Sequence, residues 1–175
     1  MRLKKHFVLL GVFLSLAGIV YGYTQYNLTR YSVYYASHMP RKKEAKPELI
    51  MALENLDWID KVNTENVRFD KEDNKSIYIK KNSYFTYSIY GYGKGYYMGI
   101  NKTNGAYFYN TDSTGKFVTY SSLVENKNEE PLERKTLQEI EALLAPATQD
   151  IIEAQKTPLI NLQKLFNQRY MSRFN

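Results

Sequence analysis

Chemistry needs particular side chains at particular spacings, and this chain offers few sets to test. Gly91-Tyr92-Gly93-Lys94-Gly95 has the glycine content of a phosphate-cradling loop. Such loops hold an anion with backbone amides converging at the start of a helix. No helical periodicity follows Gly95, so a hairpin turn is the expected structure. Asn110-Thr111-Asp112-Ser113-Thr114-Gly115 places oxygen side chains ahead of a glycine, as a calcium loop does, but its twelfth position is Ser121 and not a bidentate glutamate. Asp70-Lys71-Glu72-Asp73-Asn74 is acidic without the glycine. Both read as solvated turns. His38 is the one histidine beyond the basic N-terminus, and no serine stands in a nucleophile elbow beside it. Cysteine is absent, which removes thiolate metal sites, cysteine nucleophiles and disulfides. A paired-carboxylate hydrolase leaves no motif and stays open, although the acidic residues sit in turns and on helix surfaces. The expectation is a protein without catalytic residues, metal, cofactor or small-molecule substrate.

What stands out is tyrosine, with 17 in 175 residues. They concentrate between Tyr78 and Tyr120, where polar and apolar residues alternate with period two. In Tyr84–Tyr90 one face carries Phe85, Tyr87 and Ile89, and the other Tyr84, Thr86, Ser88 and Tyr90. Likewise Tyr96, Met98 and Ile100 oppose Tyr97 and Asn101. The first sets are expected in a core and the second on a wet aromatic surface. Tyrosine combines large contact area with a hydrogen bond and little rotamer entropy, which suits recognition. Cross-strand pairing that only stabilises a sheet accounts for the same residues. On the recognition reading, Tyr84, Tyr90, Tyr92, Tyr97, Tyr107 and Tyr109 are the partner-binding candidates.

The elements that would position them follow from spacing. Candidate strands are Asn66–Asp70, Ser76–Lys81, Tyr84–Tyr90, Tyr96–Asn101, Ala106–Asn110 and Lys116–Ser121. Turn chemistry separates them at Glu72-Asp73-Asn74, 91–95, Thr103-Asn104-Gly105 and 112–115. This predicts an antiparallel meander of about five or six strands. Pro47 opens a short helix at its favoured first position, with Leu49, Ile50, Leu53 and Leu56 on one face. After Pro131 the chain turns helical, with a capping-box pattern at Thr136 and Glu139. Pro146 is expected to interrupt this helix, and Pro158 to kink or split the next. The fold class is α+β: an N-terminal hydrophobic helix, a short helix, the meander, and C-terminal helices packed on one face of the sheet.

The formal charge is +6, but three of the 24 basic residues (Arg2, Lys4 and Lys5) precede the apolar run, leaving +3 against 18 acidic ones. A nucleic-acid partner would need a concentrated basic stripe, and none is written here. Residues 1–25, a basic stretch and then uncharged Phe7–Val20, have the pattern of a signal anchor; counting Tyr21-Gly22-Tyr23, the apolar stretch is close to the lower limit of about 17 residues for a spanning helix. The positive flank should stay in the cytoplasm, placing the rest outside, with Tyr21, Tyr23 and Tyr26 at the outer interface. Cleavage after Gly22, giving a secreted protein, is the alternative. Residues 26–46 then form a linker or an extension of the helix, and 47–175 an extracytoplasmic domain. A cysteine-free exported domain fits a Gram-positive surface.

This layout resembles the membrane-anchored TipC-type immunity proteins of Gram-positive toxin–immunity pairs. The residues that carry the resemblance are Lys4-Lys5 with the Phe7–Val20 anchor, the tyrosine-rich meander Ser76–Ser121 and the helical C-terminus Thr136–Phe174. It implies an outward-facing domain that binds and occludes a secreted antibacterial toxin, the cognate protein partner, through an exposed sheet face. A structural or regulatory component of a cell-envelope complex is the second expectation.

Overall fold

The computed structural model describes residues 2–70, 75–80 and 82–175. Helix α1 (Arg2–Arg30) is followed by α2 (Ser32–Ser37) and α3 (Pro47–Glu54). Seven strands come next: β1 (Val67–Phe69), β2 (Ser76–Ile79), β3 (Ser83–Ser88), β4 (Gly95–Lys102), β5 (Gly105–Thr111), β6 (Phe117–Ser122) and β7 (Lys127–Pro131). Helices α4 (Arg134–Glu153) and α5 (Gln163–Phe174) close the chain. The strands pair antiparallel in sequence order, so the sheet is an α+β meander of seven strands, one more than the six segments that alternate in the sequence. The extra strand, β7, is exposed along its whole length and polar, so it carries no alternation to detect.

One face of the sheet is apolar and covered. Val67 and Phe69, Ile77 and Ile79, Phe85, Met98, Tyr107 and Tyr109, and Phe117 lie on it, all buried. They form one cluster with Leu49, Ile50 and Met51 of α3, Ile140, Leu144, Ala147 and Ile151 of α4, and Phe166 and Phe174 of α5. α3 packs against β3, and α4 against β1 and β2. Burial of each large apolar side chain contributes about 1.5–3 kcal/mol. Phe85 and Met98 are registered partners and fully buried, so they anchor the middle of the sheet.

Several local expectations are corrected. Within 26–46 the helix extends to Arg30 and resumes as α2, and Leu28, Val33, Tyr35, Ala36 and Met39 are buried, so the core begins well before Pro47, while residues 40–44 are exposed. Pro146 does not interrupt; α4 runs through it, because a missing N–H on a half-exposed turn leaves only the preceding carbonyl to solvent. Pro158 kinks no helix, since it lies in the loop between α4 and α5. Ile151 and Ile152 lie in the last turn of α4. Thr136 is inside the first turn of α4 and makes no capping bond; Glu133 is the residue that precedes the helix. The β4–β5 turn pairs Lys102 with Gly105, and only Gly105 takes positive φ, at 136°. The turn expected at Glu72-Asp73-Asn74, and with it most of the acidic stretch 70–74, lies outside the described residues, as does Lys81 at the end of the expected second strand.

α1 is long and apolar enough to cross a membrane by length and composition, and its apolar window is unburied by the rest of the chain. A signal sequence passes the same test. Its last turn is fastened to the domain. The Arg30 guanidinium donates to Asp60 Oδ1 at 2.6 Å, Asn27 Nδ2 donates to the Ile160 carbonyl at 3.1 Å, and Arg169 Nη1 donates to Gln25 Oε1 at 2.7 Å. Burial works against the Asp60 charge, but the bond to Arg30, the Arg30 and Lys156 charges and the Lys156 N–H together outweigh it and hold the carboxyl below its usual range. Tyr35, fully buried, donates to Asn27 Oδ1 at 2.6 Å and accepts the Leu162 N–H at 3.1 Å.

Candidate functional site

Among the described residues, Arg68, Tyr78, Tyr84, Tyr97 and Phe108 on the second face of the sheet lie outside the core cluster that the helices cover. Cross-strand register puts Arg68, Tyr78, Tyr84, Gly99, Phe108 and Ser121 in a single row, because each is the Cα partner of the next. Arg68 lies over the Tyr78 ring with its Cζ 5.2 Å from the centroid. Tyr78 and Tyr84 stand 6.4 Å apart. Tyr84 then tips across Gly99, where an added Cβ would come within 2.3 Å of its Cζ. Tyr97, on the next row of β4, bridges the gap edge-on, 6.1 Å from Tyr84 and 5.8 Å from Phe108. Tyr92, from the β3–β4 loop, stacks on Phe108 at 6.5 Å and 17°. The result is a continuous line of five aromatic rings, capped by a guanidinium, across β1 to β5.

These rings are half-buried. Offset and edge-to-face pairs of this kind each contribute about 0.5–1.5 kcal/mol beyond area burial. Loss of solvent, with the Tyr84 phenol beside it, pushes the Tyr97 phenol up to about 12, so it keeps its proton well into alkaline pH. At the far edge Asn110 Nδ2 donates to Ser121 Oγ at 3.3 Å and to the Tyr92 carbonyl at 3.4 Å, tying the loop to the sheet.

Of the six candidate tyrosines, the structure brings Tyr84, Tyr92 and Tyr97 together on this row. Tyr90 stands apart and is 79% exposed at the β3–β4 tip. There it borders a cleft of about 630 Å³ lined by Leu53, Glu54, Tyr87, Ile89 and Tyr96. Tyr96 donates to Glu54 Oε1 at 2.5 Å, and Arg173 Nη1 donates to the same oxygen at 2.9 Å. Tyr87 and Ile89 are 51% and 60% exposed, although the alternation points them inward: β3 ends at Ser88, and the helices do not reach past it.

Tyr107 and Tyr109 are corrections. Both are buried on the covered face, where Tyr107 opposes Ile100 and Tyr109 opposes Met98. β5 carries aromatic residues on both faces, so alternation alone leaves its orientation undecided, and a one-residue error exchanges the faces. Phe108 is the outward residue. Tyr107 accepts from Asn104 and donates to Glu125 Oε1 at 3.1 Å, within a polar hollow of about 430 Å³ shared with Lys127 and Tyr120. Burial lifts the Tyr109 phenol to about 12. Arg68, Tyr78 and Phe108 were not singled out from sequence; the signal for them is register, which period two alone does not supply.

The motifs tested for chemistry resolve into turns. Residues 91–94 lie in the β3–β4 loop and β4 starts at Gly95, with Gly91 and Gly95 at φ of 78° and 76°. Asp112 Oδ1 accepts the Thr114 N–H at 2.8 Å, the Thr114 hydroxyl at 2.6 Å and the Lys116 N–H at 3.2 Å, so this oxygen closes its own turn. His38 is exposed, with its Nδ1 2.8 Å from the Tyr34 carbonyl. Among the described residues no three His, Cys, Asp or Glu side chains gather to hold a metal ion. No protein-family model matches the chain, and neither a curated protein nor a solved structure matches it.

Proposed function

We propose that this chain is a membrane-anchored, extracytoplasmic binding protein that neutralises a secreted antibacterial toxin by contact through the open face of its sheet. The observation that carries the reading is the line of Tyr78, Tyr84, Tyr97, Phe108 and Tyr92 on a face that no helix covers. A sheet face with no partner is ordinarily polar. Here it presents pre-packed rings with phenolic donors and one guanidinium, the residue types that dominate interface energetics. Because neighbouring rings already fix one another, these side chains lose little rotamer entropy when a partner docks. The exposed apolar length of α1, behind Arg2, Lys4 and Lys5, supports the anchor and its orientation.

The test is affinity capture with the full-length chain in mild detergent from the cells that make it, alongside a Tyr84→Ala/Tyr97→Ala variant. One stoichiometric partner, a secreted toxin encoded nearby, should be recovered by the parent chain and lost by the variant. Recovery by both, with the variant folded, would remove the open face from the interface. Recovery of envelope proteins instead of a toxin would favour a structural or regulatory role.

A further inference from the structure

The junction between α1 and the domain carries exposed apolar side chains that the core and the sheet face leave unexplained. Leu159 is 96% exposed, Ile160 54%, Trp58 50% and Tyr26 47%. They come from three separate segments: α1, the loop after α3 and the loop between α4 and α5. The structure holds them at one level. Tyr26 and Trp58 meet edge-to-face with centroids 6.1 Å apart, and the next residue, Asn27, bonds the Ile160 carbonyl. The Arg30–Asp60 pair, two residues after Trp58, locks the same turn of α1.

That level coincides with a membrane boundary. At about 1.5 Å per residue, α1 rises roughly 29 Å from Phe7 to Tyr26, close to the hydrocarbon thickness of about 30 Å. With the basic N-terminus at the inner surface, Tyr26 stands at the outer one, and Trp58, Leu159 and Ile160 stand beside it. Tryptophan and tyrosine favour that interface because a ring enters the acyl boundary while its polar atom stays among headgroups. A fully exposed leucine next to an isoleucine gains by entering the same layer.

We infer that Tyr26, Trp58, Leu159 and Ile160 form a lipid-contacting rim that seats the domain on the outer leaflet, so that α1 is a rigid mast and not a free tether. The rim rests on the reading of α1 as an uncleaved span. Its occupant is the phospholipid surface, because the patch is continuous with the exposed apolar side of α1.

Trp58 is the one tryptophan of the chain and reports on the rim directly. The full-length protein is reconstituted into phosphatidylcholine–phosphatidylglycerol vesicles, with bromine placed on the acyl chains near the headgroup or near the bilayer centre. Retention is checked by alkaline carbonate extraction. The expected result is a blue-shifted emission quenched by the shallow bromines, weakly quenched by the deep ones and shielded from aqueous iodide. Leu159→Asp/Ile160→Asp, at exposed positions, should lose much of the shallow quenching while carbonate retention is unchanged. Retained protein whose Trp58 ignores both bromolipids and yields to iodide overturns the rim and leaves the anchor standing. Retained protein shielded from iodide but not quenched by bromine also overturns it, since protein then covers the patch. Protein released by carbonate overturns the rim and the anchor together.

Discussion

The Tyr84 ring lies across Gly99 because no Cβ is there to stop it, and this contact sets the spacing of the open-face row. Gly99→Ala should swing the half-exposed ring outward. Loss of about 0.5–1.5 kcal/mol of ring packing is offset by the roughly 0.4–1 kcal/mol gained from a less flexible unfolded chain. Denaturant unfolding should therefore change little. The Tyr97 phenol, raised by burial and by Tyr84, should titrate earlier than about 12, as ultraviolet titration against a Tyr97→Phe control would show. An unshifted phenol would mean that Tyr84 does not set its environment. A second expectation concerns pH. Tyr97 and Tyr109 both titrate near 12 in the folded chain and near 10.0 once unfolded. The folded state thus keeps two protons that the unfolded chain releases. Their stabilisation is complete below pH 10 and is lost as pH rises towards 12. Unfolding midpoints should fall across that window, and Tyr97→Phe/Tyr109→Phe should flatten the fall. At this scale the site was partly legible. Tyr84 and Tyr97 could be placed outward because their strands alternate with a clear apolar partner set, Phe85 with Tyr87 and Met98 with Ile100. Tyr107 and Tyr109 could not, because the intervening residue is Phe108 and both faces of β5 look apolar.

Element boundaries show which signals survive translation into structure. Six strands were readable because Ile77, Phe85, Met98 and their neighbours recur every second residue, a pattern imposed by a sheet covered on one side. β7 was not, since Lys127–Pro131 is an edge strand with no buried position. Its charges and terminal proline are the features that discourage further strand addition at an open edge. α4 was misjudged for another reason. A proline weighs heavily in local propensity, yet Ile140, Leu144, Ala147 and Ile151 keep helical spacing on both sides of Pro146, and burial of that stripe overrides the local penalty. The penalty has not vanished. Replacing Pro146 with alanine restores a donor to the helix and removes a clash, a change on the order of up to 3 kcal/mol. Pro146→Ala should raise both the thermal midpoint and the denaturant midpoint with an unchanged denaturant slope. A lower midpoint would show that Pro146 itself helps to fit α4 to β1 and β2.

At the scale of the whole molecule, two surfaces compete for the term functional: an apolar helix at one end and an aromatic sheet face on the domain it carries. They act together only if the domain emerges on the side where its partner travels. On the proposed anchor, orientation would be set by the first residues, where Arg2, Lys4 and Lys5 precede the apolar run and no acidic residue offsets them. Basic residues beside the first span are retained in the cytoplasm, and this bias commonly decides topology. Net charge elsewhere cannot substitute, because long domains cross largely regardless of charge. Arg2→Glu/Lys4→Glu/Lys5→Glu should therefore reduce the share of chains whose C-terminal domain is cleaved by protease added to intact protoplasts. Folding of the domain should be untouched, since among the described residues α1 meets it at its C-terminal end, through Gln25, Asn27, Leu28, Arg30 and their neighbours. Equal protease access in parent and variant would show that the apolar length of α1, and not its flank, sets the topology. A parent chain protected from protease would place the aromatic face inside the cell, away from any secreted toxin, and the immunity reading would fall with it.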